Sequence, residues 1–141
     1  MSGLGMRPLR VVLAGSGYVT PFHIAGWQAL PDVQVVAIAA RNESVAKERA
    51  RQFGIARTYT DLEKTLAAEA PDIVDICTPP EAHGEQIELA ARYGAHVICQ
   101  KPLAVSVSLA QAMLATVEKA GVRAMVHENF RFRPWFRALG Q

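Results

Sequence analysis

LRVVLAGSG, residues 9–17, joins a nearly continuous apolar run to a turn with two glycines. A run without polar alternation is typical of a strand that is covered on both faces of a sheet. Gly15 lacks a Cβ and permits a tight turn, and Gly17 lets a ligand approach the backbone closely. A helix that follows such a turn offers free N–H groups and the positive end of its dipole to an anion. The stretch therefore predicts a first strand, a phosphate-binding turn and a helix.

The sixth position of this glycine fingerprint is Thr20 rather than Gly or Ala. A threonine there is expected to weaken the close packing of helix on strand. It could instead cap the helix, with Pro21 at the first helical position. Such turns also occur in α/β proteins that bind no nucleotide, so the turn alone leaves both interpretations open. Its place in a first strand–helix unit, with several similar units after it, favours nucleotide binding.

Apolar runs alternate with helix-like segments along the rest of the chain. Predicted helices begin at caps at Asn42 and Ser106 and at a capping box of Thr60 with Glu63, and glycines follow the helix ends. Repeated strand–helix–strand units cross over right-handed onto a parallel sheet. The chain is therefore predicted to be an α/β protein with a Rossmann-type, doubly wound parallel sheet over residues 1–126. The predicted strands are 9–14, 33–40, 57–59, 73–77, 95–99 and 122–126.

The composition indicates one globular domain. The 141 residues are 50% hydrophobic and 20% charged, with a net charge of +2. Residues 1–8 are expected to be a frayed lead-in to the first strand. No apolar run reaches about 18 residues and no signal-peptide pattern is present, so we expect a cytoplasmic protein without a membrane partner. Arginines alternate with aromatic residues over 130–137. Stacking on RNA is one interpretation, but an amphipathic segment against a partner surface is favoured over nucleic-acid binding.

The two cysteines, Cys77 and Cys99, both follow apolar runs and neither lies in a zinc-binding pattern. If those runs are neighbouring parallel strands, the two thiols could lie close together. The preferred interpretation is two reduced, buried cysteines that behave as small hydrophobic residues. No metal site is predicted.

ICQKP, residues 98–102, ends another predicted strand in an amide, an ammonium and a proline. Ligands of open α/β sheets bind just outside the carboxyl ends of the strands. Because lysine is almost never buried without a partner, Lys101 is a candidate for a group presented at a site. A solvated lysine in an ordinary turn is the alternative.

The second predicted strand ends in Ala40, Arg41 and Asn42, with no carboxylate until Glu43. A carboxylate at this position would bond a ribose 2′-hydroxyl and favour NAD. Arg41 could instead face a 2′-phosphate with its planar guanidinium, and Asn42 could donate a hydrogen bond. The sequence therefore favours NADP over NAD.

Three motifs occur together in one order. They are Gly15-Ser16-Gly17 followed by His23, Cys77-Thr78-Pro79-Pro80 followed by His83, and Lys101-Pro102 after a strand. In this order the chain resembles the N-terminal domain of the glucose–fructose oxidoreductase, inositol dehydrogenase and MocA-like family. The resemblance implies hydride transfer between NAD(P) and a sugar, cyclitol or related polyol. It also implies a C-terminal α/β domain, absent here, through which subunits form homo-oligomers. Residues 127–141 would begin the connection to that domain, with a helix at Pro134.

The resemblance implies roles for individual residues. Lys101 would be catalytic, reaching the cofactor ribose and the substrate hydroxyl, and the Lys101–Pro102 peptide bond would be cis. The turn from Gly15 would bind the pyrophosphate, and the residues after strand four would line the nicotinamide side. The expected cofactor contacts are Gly15, Ser16, Gly17, Tyr18, Val19, Ala40, Arg41, Asn42, Cys77, Thr78, Pro79, Pro80, His83, Gln100 and Lys101.

Two departures from the family pattern bear on the site. Gln100 stands where the family usually has Glu, and Pro80 where many members have Asn. An amide can still bond a ribose hydroxyl, but it cannot offset the lysine charge. The family's Asp and His that act with this lysine lie in its second domain. A non-catalytic nucleotide-binding module, acting as a sensor or subunit, is therefore the main alternative. A methyltransferase is disfavoured by the missing acid after strand two and by the Lys-Pro pair.

Overall fold

The computed structural model describes residues 7–139. Most of the predicted lead-in, residues 1–6, and the last two residues of the predicted connection, 140–141, lie outside the described residues. Across residues 7–139, six parallel strands form one sheet in the order β3-β2-β1-β4-β5-β6. The strands are β1 Leu9–Ala14, β2 Val33–Ala39, β3 Arg57–Tyr59, β4 Ile73–Ile76, β5 His96–Gln100 and β6 Ala124–His127.

This strand order is the one that the Rossmann-type prediction requires. The chain moves outward from β1 to β3, then returns to the other side of β1 and continues through β6. The reversal lies between β1 and β4, and ligands of doubly wound sheets bind at such a point. Within the described residues, six helices connect or follow the strands: α1 Thr20–Gln28, α2 Glu43–Phe53, α3 Leu62–Glu69, α4 His83–Arg92, α5 Val107–Ala120 and α6 Pro134–Leu139. Short 3₁₀ turns cover Pro80–Ala82 and Asn129–Phe132.

Two apolar layers hold the helices onto the sheet. On one face, Leu13 and Ile38 pack with Ile24 of α1 and Ala46 of α2. The layer on the other face joins β1, β4 and β5 to helices α3, α4 and α5. Its members include Ala14, Val74, Ile76, Val97, Leu66, Ile87 and Met113. Each fully buried Leu or Ile side chain contributes roughly 1.5–3 kcal/mol relative to an exposed one. The central strands are thus covered on both faces, as their sequences predict.

Two predicted helix starts are wrong by one residue. Asp61, not Thr60, caps α3, because its carboxylate accepts the N–H of Lys64 at 2.8 Å. Thr20 does not cap α1. It is the first helical residue, it is fully buried, and its hydroxyl donates to the carbonyl of Gly15 at 3.3 Å. Threonine at this position therefore fills the space between turn and helix. The caps at Asn42 and Ser106 are confirmed.

The last strand differs from the prediction. β6 begins two residues later than expected, and its residues Ala124, Met125 and Val126 are exposed. A strand at the end of the sheet packs against fewer neighbouring elements than the central strands do. The apolar sequence of β6 therefore does not mean that its side chains are buried. The short helix predicted at Pro134 is present. No helix among residues 7–139 is both long and apolar enough to cross a bilayer.

Candidate functional site

The strand register brings the predicted site segments to one edge of the sheet. Ala14 is paired with Ala39 on one side and with Ile76 on the other. Ile76 is paired in turn with Cys99, and Gln100 with His127. The segments that follow β1, β2, β4 and β5 therefore leave the sheet side by side. This is the carboxyl edge, where the sequence predicts a ligand site.

The glycine turn is fixed between β2 and β4. The N–H of Gly15 donates to the carbonyl of Ala39 at 2.8 Å, and Gly15 has a φ of 111°. A Cβ on Gly15 would lie 3.0 Å from the carbonyl oxygen of Cys77. A Cβ on Gly17, in contrast, would meet nothing within 4 Å. Gly15 is thus required by the backbone, whereas the space above Gly17 is open to a bound group.

A groove of about 1590 Å³ runs across the ends of β1, β2 and β4. Nine of the predicted cofactor residues line it: Gly15, Ser16, Gly17, Ala40, Arg41, Asn42, Cys77, Thr78 and Pro79. The other six lie outside its lining: Tyr18, Val19, Pro80, His83, Gln100 and Lys101. The structure thus gathers the predicted pyrophosphate and ribose segments and the first part of the nicotinamide segment into one cavity.

Arg41 and Asn42 carry the donors at the β2 end of this groove. Arg41 is exposed, and among residues 7–139 its guanidinium has no hydrogen-bond or ion-pair partner. The side-chain oxygen Oδ1 of Asn42 accepts the N–H of Val45 and the hydroxyl of Ser44 as the cap of α2, which leaves the side-chain amide N–H groups for a ligand. A second groove arginine, Arg92, is held by Glu63 at 3.1 Å and by Glu88 at 3.8 Å. In the part of the chain that the structure describes, Arg41 is therefore the available cation at this end of the groove.

His83 lies behind the groove wall. It is fully buried, and its Nε2 and Nδ1 lie 2.9 Å from the carbonyl oxygen of Thr78 and 3.0 Å from that of Leu103. The ring thus connects the turn after β4 to the turn after β5. The Thr78 hydroxyl donates to the side chain of Gln86 at 2.6 Å. As placed, His83 has no surface for a cofactor, and its contacts indicate that it holds the two turns together.

The Lys101–Pro102 peptide bond is cis, as the resemblance implies. The Lys101 side chain is exposed, and its Nζ lies 5.3 Å from the centre of the Phe130 ring. Such cation–π contacts are weak at exposed sites, about 0.5–1 kcal/mol, so the ammonium remains available to a ligand. Gln100 does not face this ammonium. Its amide oxygen accepts the backbone N–H of Lys101 at 2.8 Å, and its amide nitrogen lies 3.1 Å from Nε2 of His23.

A buried polar cluster centred on Asp75 was not predicted from the sequence. Asp75 of β4 is 1% exposed, and its carboxylate meets Nδ1 of His23 at 2.9 Å and the indole N–H of Trp27 at 2.7 Å. Cys77 Sγ lies 3.6 Å from the same carboxylate. One signal was available: a single carboxylate inside the apolar run 73–77, because aspartate is almost never fully buried without partners. His23 appeared only as part of the family motif.

Both cysteines are free thiols and both are buried, as predicted. Burial raises the pKa of Cys77 far above its usual range, and the Asp75 charge adds to this effect. Burial likewise raises the pKa of Cys99 to about 12. Thiolates are the nucleophilic and metal-binding form, so neither residue is poised for such chemistry. His23, Asp75 and Cys77 form the one group in the described part of the chain that is close enough to hold a metal. Three N–H and S–H donors converge on Asp75, which favours a hydrogen-bonded cluster.

His127 at the end of β6 completes this region. Its ring centre lies 4.4 Å from that of His23 in an edge-to-face arrangement. Burial lowers the pKa of His127 from 6.5. Its Nδ1 and the side-chain oxygen of Asn129 are buried without a hydrogen-bond partner among the described residues. Unpaired buried polar atoms are uncommon, and here two of them lie at the same edge as Lys101.

Comparisons with known proteins agree with this geometry. Residues 9–128 match the family model described as an oxidoreductase family with an NAD-binding Rossmann fold. The chain is 40% identical over 136 residues to a D-apiose dehydrogenase of Paraburkholderia graminis, covering 96% of this chain and 36% of that protein. It is 28% identical over 131 residues to a scyllo-inositol 2-dehydrogenase (NADP(+)) of Bacillus subtilis, covering 93% and 40%.

A solved structure shows the same fold at similar identity. An oxidoreductase of Agrobacterium radiobacter, solved with NAD⁺, L-tartaric acid and magnesium, has a TM-score of 0.86 and 38% identity. The match covers 89% of this chain and 36% of that one. The chain thus spans between a third and two fifths of the length of these relatives.

Proposed function

The chain belongs to the Gfo/Idh/MocA oxidoreductase family with its NAD-binding Rossmann fold, and we propose that it forms the cofactor-binding part of a sugar or polyol dehydrogenase. Its substrate would be a hydroxyl of a sugar, cyclitol or related polyol. The observation that carries this proposal is the convergence of the glycine turn, the Arg41 segment and the Thr78 segment on one groove. The names of the P. graminis and B. subtilis relatives, an apiose and an inositol dehydrogenase, support the substrate class.

The residues of the groove fit a dinucleotide. The open space above Gly17 admits a pyrophosphate against the backbone of the turn, next to the positive end of the α1 dipole. Ala40, Arg41 and Asn42 would surround the adenosine ribose. Thr78 and Pro79 would line the path toward Lys101. Nicotinamide cofactors supply hydride transfer, and the protein contributes orientation and electrostatics.

We further propose that NADP is the preferred cofactor, with NAD as the second choice. Residues 39–42 at the end of β2 carry no carboxylate, and Glu43, the first acid after them, is paired with Lys47 at 2.6 Å. Arg41 has no ion-pair partner among the described residues. A planar guanidinium can bond two phosphate oxygens at once. The relative named for NADP(+) supports this choice, whereas the A. radiobacter structure contains NAD⁺.

Lys101 would act on the substrate hydroxyl. Its ammonium stands at the carboxyl end of β5, where a substrate placed over the nicotinamide would be reached. An ammonium there stabilises the alkoxide that develops as the hydroxyl proton leaves. Gln100 does not share that role, since both ends of its amide are bonded to His23 and to the Lys101 backbone. The two free, buried thiols fit the reducing conditions of a cytoplasmic enzyme.

Calorimetric titration of the chain with NADPH, NADH and S-adenosylmethionine tests this proposal. NADPH should bind more tightly than NADH, and S-adenosylmethionine should give no heat of binding. Binding of S-adenosylmethionine alone would replace the oxidoreductase with a methyltransferase. Failure of both nicotinamide cofactors to bind would overturn the proposal.

A further inference from the structure

A continuous line of hydrogen bonds runs from the buried end of β4 to the backbone of Lys101. Asp75 contacts Nδ1 of His23 at 2.9 Å, Nε2 of His23 lies 3.1 Å from the amide nitrogen of Gln100, and the amide oxygen of Gln100 accepts from Lys101 N at 2.8 Å. The side chains of His23 and Asp75 are 6% and 1% exposed. The line therefore passes through the interior and connects strands β4 and β5 and helix α1 to the turn that presents Lys101.

The backbone N–H of Lys101, at one end of this line, fixes the position of every proton along it. The backbone N–H of Lys101 can only donate, so the Gln100 atom that receives it must be the carbonyl oxygen. The other end of the amide is then the NH₂ group, which can only donate to His23. Nε2 of His23 must accept and so carries no proton. A neutral imidazole keeps one proton, which therefore lies on Nδ1 and is donated to Asp75.

The groups around Asp75 agree with this assignment. The indole N–H of Trp27 can only donate, and Cys77 is a thiol whose only proton is its S–H. With the N–H of His23, three donors converge on one buried carboxylate, which satisfies its charge without a metal. The ring of His127 packs edge-on against His23 and restricts its rotation.

We propose that Asp75, His23 and Gln100 are positioning residues for Lys101, and that Gln100 keeps His23 in the neutral Nδ1–H form. A carboxylate at position 100 could not donate to Nε2. It would still accept the Lys101 N–H, but its contact with His23 would require a second proton on the ring. The identity of residue 100 therefore sets the charge on His23, which Gln100 links to the backbone of the candidate catalytic lysine. The positioning role rests on the function proposed for Lys101; the protonation of His23 does not.

Long-range proton–nitrogen NMR correlations of the histidine rings test the inference on the chain itself. At neutral pH, His23 should show a protonated Nδ1 and an unprotonated Nε2. Gln100→Glu should convert His23 to the doubly protonated form. Gln111→Glu adds the same charge at an exposed position of α5 and should leave His23 unchanged. Gln100→Ala should speed hydrogen exchange of the Lys101 amide by roughly five- to tenfold, because its acceptor is lost.

The wild-type spectrum alone can overturn the inference. A proton on Nε2 of His23 would contradict it, whether or not any variant folds. An unchanged His23 in folded Gln100→Glu would also contradict it. NADPH titration is a separate measurement. If NADPH does not bind but His23 gives the expected signals, the proposed function is rejected and the hydrogen-bond line is retained. If NADPH binds but His23 does not give those signals, the hydrogen-bond line alone is rejected.

Discussion

Gly15 and Cys77 approach so closely that a Cβ on the glycine would lie 3.0 Å from the cysteine carbonyl oxygen. This contact joins the turn after β1 to the end of β4, across the point where the strand order reverses. The neighbouring atom is backbone, so it cannot move aside as a flexible side chain could. The φ of 111° at Gly15 adds strain for any other residue.

Gly15→Ala should therefore destabilise the fold, by roughly 1–3 kcal/mol from strain and contact. Urea unfolding followed by circular dichroism measures this change. Gly17→Ala is the matched control, because its Cβ meets nothing within 4 Å. It should fold with nearly wild-type stability but weaken NADPH binding, since the methyl group occupies the proposed pyrophosphate position. Equal stability of the two variants would contradict this prediction.

Arg41→Ala should weaken NADPH binding about 10- to 100-fold and NADH binding much less, because a charge-assisted hydrogen bond contributes roughly 1.5–3 kcal/mol. Calorimetric titration of both cofactors gives the ratio. Arg92→Ala removes an arginine from the same groove, but one already paired with glutamates, and should change the ratio little. An equal loss for NADPH and NADH in Arg41→Ala would argue against NADP preference.

Lys101→Ala should lower turnover of the active enzyme on a sugar or polyol by about a hundredfold or more. The dissociation constant for NADPH should change little, since the groove residues that hold the cofactor remain. Steady-state kinetics and calorimetry together make the comparison. Lys119→Ala, an exposed lysine of α5, serves as the control. A proportionate loss of cofactor affinity would assign Lys101 to binding instead of catalysis.

His83→Ala should destabilise the protein by roughly 3 kcal/mol, because it leaves a cavity and removes the ring that donates a hydrogen bond to a buried carbonyl. Thermal or urea unfolding detects the loss. His96→Ala removes an exposed histidine of β5 and should cost about 1 kcal/mol or less. Similar losses in the two variants would show that His83 does not join the turns as its contacts indicate.

Arg7 and Asp72 provide a pH-dependent prediction. The hydrogen bonds from Arg7 hold the pKa of Asp72 below its ordinary value of 3.8. A carboxyl with a depressed folded pKa stabilises the protein above the unfolded pKa, and this stability is lost as pH falls through the folded pKa. Arg7→Gln should therefore lower the unfolding free energy at neutral pH only slightly, because Arg7 is largely exposed and solvent screens its charge.

The difference between wild type and Arg7→Gln should shrink as the pH is lowered below 3.8. Urea unfolding at a series of pH values measures it. Arg123→Gln, at another exposed arginine, should show no such trend. A difference that persisted or grew in acid would assign the effect of Arg7 to something other than Asp72.

The strands, the parallel sheet and its carboxyl edge could be predicted because they depend on local patterns. Continuous apolar runs mark the buried strands, and glycines such as Gly54 and Gly121 mark helix ends through their left-handed backbone. The groove followed from the same information, because parallel strands place their ends on one edge. The cis bond before Pro102 came from family resemblance, and the structure confirms it.

The hydrogen-bond line could not be predicted in this way. His23, Asp75 and Gln100 lie on three different elements, and their contacts depend on the register between β4 and β5 and on the rotation of α1. The role of Gln100 illustrates the difficulty. In sequence it adjoins Lys101 and suggests a cofactor contact, whereas in space its amide turns inward to His23. The exposure of β6 was missed for a related reason, since an apolar sequence does not say how many neighbours a strand has.

The strand order also has a consequence for how the chain folds. β1 pairs on one side with β2, which follows soon after it, and on the other side with β4, where Val11 is aligned with Ile73, 62 residues later. During synthesis, the central strand can therefore acquire its first neighbour long before its second. Until β4 leaves the ribosome, an apolar strand keeps one edge unpaired, which is the condition under which sheets aggregate. Pairing across such a separation also makes folding slow, because the loop must close before the contact is gained.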